Sequence, residues 1–278
     1  METSNSALLG DPLTDFYITA LDLLEASGVP FLVGGTFAYA RYTGIDRETK
    51  DLDILVLPAD VPRTLAAFEA AGYRTELPFP HWLAKIRQGA HVLDVIFSSG
   101  NGVARVDDEW FAHAAESEVL GRRMRLCPLE ELVWSKAFVQ ERERFDGADV
   151  LHLLRDAGRD MDWPRLLARF GEHWPVLLGH LVSFHFVYPD RRDCIPPGLI
   201  AEMAQRLAAQ PKEPHNRTCF GTLLSREQYL YDVTQLGYVD ARLQPRGTMT
   251  PAEVAIWTDA IRRENQGHAT NTADGSPR

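Results

Sequence analysis

The chain has 278 residues, 45% hydrophobic and 24% charged, with a formal net charge of −10. That balance suits a globular chain long enough for one large or two modest domains, and its acidity excludes a generic polyanion coat, which binds through Lys and Arg. Cys127, Cys194 and Cys219 are scattered and form no CxxC pair, which excludes a disulfide framework and a thiolate zinc site and fits a reducing cytoplasm.

Met1 to Leu13 lacks the basic start and apolar run of a signal peptide. Leu13 to Ser27 carries Phe16, Ala20, Leu23 and Leu24 on a helical stripe that Gly28 ends. Phe31-Leu32-Val33 reads as a short strand, broken by Gly34-Gly35, with a helix over Thr36 to Tyr42. Leu52 to Leu57 is a strand of branched residues, and the next helix, N-capped by Asp60 with Pro62 in its first turn, runs to Gly72. Trp82 to Arg87 and His91 to Phe97 form a hairpin around Gln88-Gly89-Ala90. A short helix at Asp108 to Ala115 precedes a second hairpin, Glu118 to Leu120 and Met124 to Leu126 around Gly121.

From Pro128 onward the pattern is helical, with Leu129, Leu132 and Val133 as the first buried face. Further helices are expected at Ala148 to Ala157, Trp163 to Phe170, Pro175 to Val187, Leu199 to Ala209 and Pro251 to Glu264. The apolar stretch Val176 to Val187 is interrupted by His180, Ser183 and His185 and is too short to span a bilayer, so no membrane association is expected. The expectation is an α+β protein: a short mixed sheet flanked by helices over residues 1–127, an α-helical domain over 128–264 and a disordered tail over 265–278.

The chemistry concentrates in three segments. Gly34-Gly35-Thr36 is a strand, a glycine pair and a helix start, where free N–H groups and bare backbone accept a phosphate. Asp51 and Asp53 are separated by one apolar residue, so on a strand they share a face while Leu52 and Ile54 turn to the core. Two such carboxylates repel unless a cation lies between them. Asp94 interrupts the apolar run Val92-Leu93-Asp94-Val95-Ile96, a costly place for a charge without a partner. Side by side, these strands bring together the carboxylates that two-metal phosphoryl transfer uses.

In this order of motifs the chain resembles the DNA polymerase β-type nucleotidyltransferases, and within them the bacterial branch that includes the AbiE toxins. The resemblance covers about residues 30 to 155. It implies a metal-dependent enzyme that moves a nucleoside monophosphate from ATP or another NTP to an acceptor hydroxyl. Gly34, Gly35 and Thr36 would hold the triphosphate, and Asp51, Asp53 and Asp94 would bind two Mg²⁺ ions (or Mn²⁺), with Asp94 also activating the acceptor. Thr49 and Arg47 match positions beside the aspartate pair, and Lys136 matches a cation facing the triphosphate. Asp146 and Asp149 read better as caps of the helix they open, with Arg142 or Arg144 as partners.

The resemblance and the Arg122, Arg123 and Arg125 cluster favour RNA as acceptor, particularly a tRNA end, and leave room for an antitoxin partner. A protein hydroxyl is the second option. A small aminoglycoside-like molecule is the third, since an acidic protein suits a cationic substrate. A non-catalytic nucleotide-binding or partner-binding protein is the rival class, and the full set of three aspartates argues against it. Thr222, Ser225, Arg226, Gln228, Tyr229 and Tyr231 either line the acceptor cleft or pack the helices.

Overall fold

The computed structural model describes residues 11–49 and 51–272, with side chains through 261. In chain order, α1 (Pro12–Ser27) leads into β1 (Leu32–Val33), α2 (Gly35–Thr43), β2 (Asp51–Leu55), α3 (Val61–Ala70), β3 (Arg74–Phe79), β4 (Leu83–Gln88) and β5 (His91–Ile96). Then come α4 (Asp108–Ala112), β6 (Ala115–Val119), β7 (Arg122–Leu126), α5 (Leu129–Ala137), α6 (Gly147–Ala157), α7 (Trp163–Phe170) and α8 (Trp174–Val187). The chain closes with α9 (Leu199–Ala208), β8 (Thr218–Cys219), α10 (Leu230–Thr234), β9 (Val239–Asp240) and α11 (Pro251–Thr272). The protein is α+β, with a mixed sheet flanked by helices.

Seven strands form the main sheet in the order β3-β4-β5-β2-β1-β7-β6. Its register is what builds the site. β2 and β5 run parallel with Asp53 beside Asp94, and β4 runs antiparallel to β5 with Lys85 beside Asp94. The Gly34 N–H donates to the Asp53 carbonyl at 2.9 Å, so the glycine pair continues the same row. Alternation sends Leu52, Ile54, Leu93 and Val95 into the core and leaves the aspartates on the opposite face.

The buried apolar cluster runs through residues on both sides of the 127/128 boundary, from Leu52 and Leu93 in the sheet to Val133, Leu154 and Leu181 in the helices. A charged seam reinforces it. Glu131, fully buried on α5, accepts from Arg165 and Arg169 of α7, and Arg169 also reaches Asp107 at the start of α4.

Several details differ from the sequence reading. β3 was not expected, although Arg74, Glu76 and Pro78 alternate with Thr75, Leu77 and Phe79; Pro78 argues against a strand, and β3 lies at the sheet edge, where a proline is tolerated. Asp60 precedes α3 without capping it, and its carboxylate takes Arg63 instead. α11 continues to Thr272, past Asn265, a stretch without proline where the helical ladder is not interrupted. The rest of the expected tail, 273–278, lies outside the described residues. Among the described residues no helix is long and apolar enough to cross a membrane.

Candidate active site

Gly34, Gly35 and Thr36 stand where β1 ends and α2 begins, and all three line a cleft of about 430 Å³. Gly35 has φ +53°, and a Cβ there would lie 1.8 Å from Asp53 Oδ2 and 2.7 Å from its Cγ. The turn therefore rests directly on the Asp53 carboxylate, and no side chain fits between them. At Gly34 a Cβ would approach Leu55 at 3.3 Å and Asp53 Cβ at 3.8 Å, so the stricter demand falls on the second glycine.

The three aspartates share the cleft, in three different states. Asp51 accepts the Thr49 hydroxyl at 3.1 Å, and that hydroxyl also bonds the Asp51 carbonyl at 2.6 Å. Thr49 thus fixes Asp51 and does not itself line the cleft. Asp94 is buried, and both its oxygens accept from Lys85 Nζ, at 2.7 and 2.9 Å. Burial raises its pKa and Lys85 opposes the rise. The Asp53 carboxylate has no hydrogen bond or ion pair from the protein among the described residues. Burial, then repulsion from Asp51 and Asp94, pushes its pKa up to about 7.

A carboxylate pair on one strand face, one member of it without a protein partner, suits a hard divalent cation whose shell is completed by phosphate and water. Asp51 and Asp53 fit that role. The wider set does not converge: among the described residues no group of three His, Cys, Asp or Glu side chains gathers at metal-binding distance.

Cations form the facing wall. Lys136 of α5 donates to Asp146 at 3.1 Å and Asp149 at 2.9 Å. Arg144 forks onto Asp146 at 3.0 and 2.9 Å, with its side chain 66% exposed. Arg47 pairs with Asp149 at 2.8 Å, donates to the Tyr39 hydroxyl at 2.9 Å and lies 4.4 Å over the Tyr39 ring. The capping role expected for Asp146 and Asp149 is corrected here. Asp146 occupies the N-cap position of α6 without a side-chain cap bond, because its oxygens are taken by Arg144 and Lys136. Burial works against its charge, and these two cations nonetheless hold its pKa below the usual carboxylate value. Three cations share two carboxylates, so the wall keeps a net positive charge facing the carboxylate row.

Beyond Asp94 the β5 face continues through Ile96 to Ser98, and the wall becomes neutral. Trp82 and Trp257 meet edge to face at 5.0 Å. Arg226, paired with Glu141, lies 4.1 Å over Trp257. Asn101 donates to the Leu223 carbonyl at 2.7 Å, joining the loop after β5 to the segment before α10. Of the residues in that segment singled out from sequence, Thr222, Ser225 and Arg226 line the cleft, and Gln228, Tyr229 and Tyr231 do not.

The Arg122 to Arg125 cluster also falls outside the cleft. Strand alternation splits it between two faces, and its members are engaged: Arg122 with Asp22, Arg123 with Glu116, Arg125 with the Phe111 carbonyl. Sequence reading missed Lys85, Tyr39, Trp82 and Trp257. Lys85 alone had a usable signal: a two-residue turn at Gly89-Ala90 opposes Gln88 to His91, and the same count opposes Lys85 to Asp94.

A glycine turn seated on an Asp-x-Asp strand and faced by cations is the layout of a nucleotidyltransferase. The profile of a family described as uncharacterised nucleotidyltransferase matches residues 13–174, more than half the chain, and the protein belongs to that family. No curated protein matches the chain. Among solved structures it is similar to the antibiotic-resistance factor ANT(2'')-Ia, at 18% identity over 70% of this chain and 93% of that one, TM-score 0.36. It is also similar to the lincosamide antibiotic adenylyltransferase LnuA, at 21% identity over 50% of this chain and 94% of that one, TM-score 0.37. A nucleotidyltransferase structure from H. pylori is similar at 12% identity over 93% of this chain and 98% of that one, TM-score 0.33.

Proposed function

We propose that the protein transfers a nucleoside monophosphate from an NTP to an acceptor hydroxyl and releases pyrophosphate. One observation carries this reading: a single cleft holds the unpartnered Asp53 carboxylate beneath a close-fitting glycine turn at the start of α2, together with Lys136, Arg144 and Arg47. Backbone N–H groups at the start of α2 receive the triphosphate. Asp51 and Asp53 would hold a divalent ion, Mg²⁺ or Mn²⁺, which would supply Lewis-acid polarisation of the phosphate oxygens.

Asp94, which lines the cleft with Ile96 and Ser98, orients the attacking hydroxyl in this reading. The hydroxyl oxygen bonds to the α-phosphorus, and the bond from that phosphorus to the bridging oxygen of the leaving pyrophosphate breaks. The hydroxyl proton passes to a carboxylate or to water. Lys136 and Arg144 stabilise the charge that collects on the leaving group.

The indole and hydroxyl walls beyond Asp94 suit an acceptor that presents a ring, so the terminal nucleoside of an RNA is the first acceptor to test. The arginine cluster that sequence reading offered for RNA gives no support, since it lies outside the cleft. The test is transfer of label from α-labelled NTPs to total RNA, cell extract protein or a panel of aminoglycosides, with nuclease and protease controls. Label in one acceptor class, absent with Asp53→Ala, is the expected result. Nucleotide binding without label in any class would favour a non-catalytic binding protein.

A further inference from the structure

The row of side chains across the sheet reads Lys85, Asp94, Asp53, then the Gly34-Gly35 turn. Its first member has no place in the metal site expected from sequence. Lys85 and Asp94 face each other in direct antiparallel register, and the ammonium holds both carboxylate oxygens, at 2.7 and 2.9 Å. Both side chains are sheltered, 22% and 11% exposed, so the pair is not a solvated surface contact. Asp53, the next in the row, receives no cation in a direct ion pair among the described residues.

We propose that Lys85 is a built-in counter-cation for Asp94, and that the site takes one divalent ion, on Asp51 and Asp53, where three free carboxylates would take two. The proposal rests on the reading of Asp51 and Asp53 as the cation site. Charge supports it: with Asp94 neutralised by Lys85, the row keeps the charge of Asp51 and Asp53, which one divalent ion balances. A second ion at Asp94 would have to displace an ammonium already making two short, charge-assisted hydrogen bonds. A small, hydrated cation such as Mg²⁺ is ordinarily held by one or two carboxylates plus substrate phosphates, so Asp51 and Asp53 suffice. Lys85 is then a positioning residue, holding Asp94 on the acceptor side as a fixed hydrogen-bond acceptor.

The test counts ions with Mn²⁺ as probe, by equilibrium titration with electron-spin detection, with and without a non-hydrolysable NTP analogue. Wild type and Lys85→Arg are expected to bind one Mn²⁺, and Asp53→Asn none. In Lys85→Met a second Mn²⁺ is expected, bound at least tenfold more tightly than any second ion in wild type, and the thermal shift on adding Mn²⁺ should exceed that of wild type. If Lys85→Met does not fold without metal, the wild-type count, one Mn²⁺ or two, still decides. Two Mn²⁺ ions in wild type, with Asp53→Asn still losing ions, would overturn the role of Lys85 and leave the nucleotidyltransferase reading standing. No Mn²⁺ in any variant, even with nucleotide, would overturn both.

Discussion

Replacing Asp53 with asparagine should stabilise the metal-free protein, although it removes a central residue of the site. The Asp53 carboxyl ionises near 3.8 in an unfolded chain and at about 7 in the folded one. Between those values the folded state holds the proton that the unfolded state has released, so this residue's contribution to stability falls as pH rises from about 4 to about 7 and stays low above that. The interval corresponds to roughly 4 kcal/mol, using about 1.4 kcal/mol per pKa unit, as an upper bound because Asp51 and Asp94 adjust to each other's charge. The asparagine side chain keeps the shape of the aspartate without its charge. Denaturant unfolding with a chelator present should therefore show Asp53→Asn more stable than wild type by roughly 2–4 kcal/mol at pH 8, with the difference vanishing near pH 4. Adding Mg²⁺ at pH 8 should stabilise wild type and leave Asp53→Asn unchanged. An Asp53→Asn protein no more stable than wild type at pH 8 would refute the claim that this carboxylate is desolvated and uncompensated.

Three other outcomes follow from particular contacts. Gly35→Ala places a methyl on Asp53 at a left-handed φ and should cost roughly 2–4 kcal/mol in denaturant unfolding and about 100-fold or more in transfer; wild-type activity would mean that the turn lies elsewhere. Lys136→Met should lower kcat/KM for the NTP by about 100-fold, and an unchanged value would confine Lys136 to pairing with Asp146 and Asp149. Arg165→Met leaves the wholly buried Glu131 with Arg169 as its one remaining cation and should destabilise the fold by roughly 1–3 kcal/mol in urea while nucleotide KM in the folded fraction stays unchanged.

The elements that place the glycine turn and the aspartates were legible because their signals are local. Gly28 closes α1 in a left-handed conformation, Gly34-Gly35 ends β1, and the one-residue spacing of Asp51 and Asp53 fixes their shared face. The hairpin of β4 and β5 follows from its short turn. What was not legible depends on which strands become neighbours. That β2 lies parallel beside β5, setting Asp53 next to Asp94, is a tertiary fact with no local sequence mark. The same holds for the cation wall: Arg47, Lys136 and Asp149 are far apart in sequence and meet only because α5 and α6 fold back over α2. Asp146 shows how a local rule loses to tertiary charge, since it stands at a helix N-cap and spends its oxygens on Lys136 and Arg144. Trp257 lies more than 150 residues from Trp82, and no periodicity links the two indoles that wall the neutral lobe.

The most direct test of the central claim is to supply one NTP labelled at the α-phosphate and, in parallel, the same NTP labelled at the γ-phosphate, with Mg²⁺ and the acceptor fraction. The account predicts that α-label becomes acceptor-bound and γ-label appears as pyrophosphate in equal amount, both abolished by Asp53→Ala. Acceptor-bound γ-label, or release of inorganic phosphate without α-label transfer, would contradict it and make the cleft a site for phosphoryl transfer or hydrolysis.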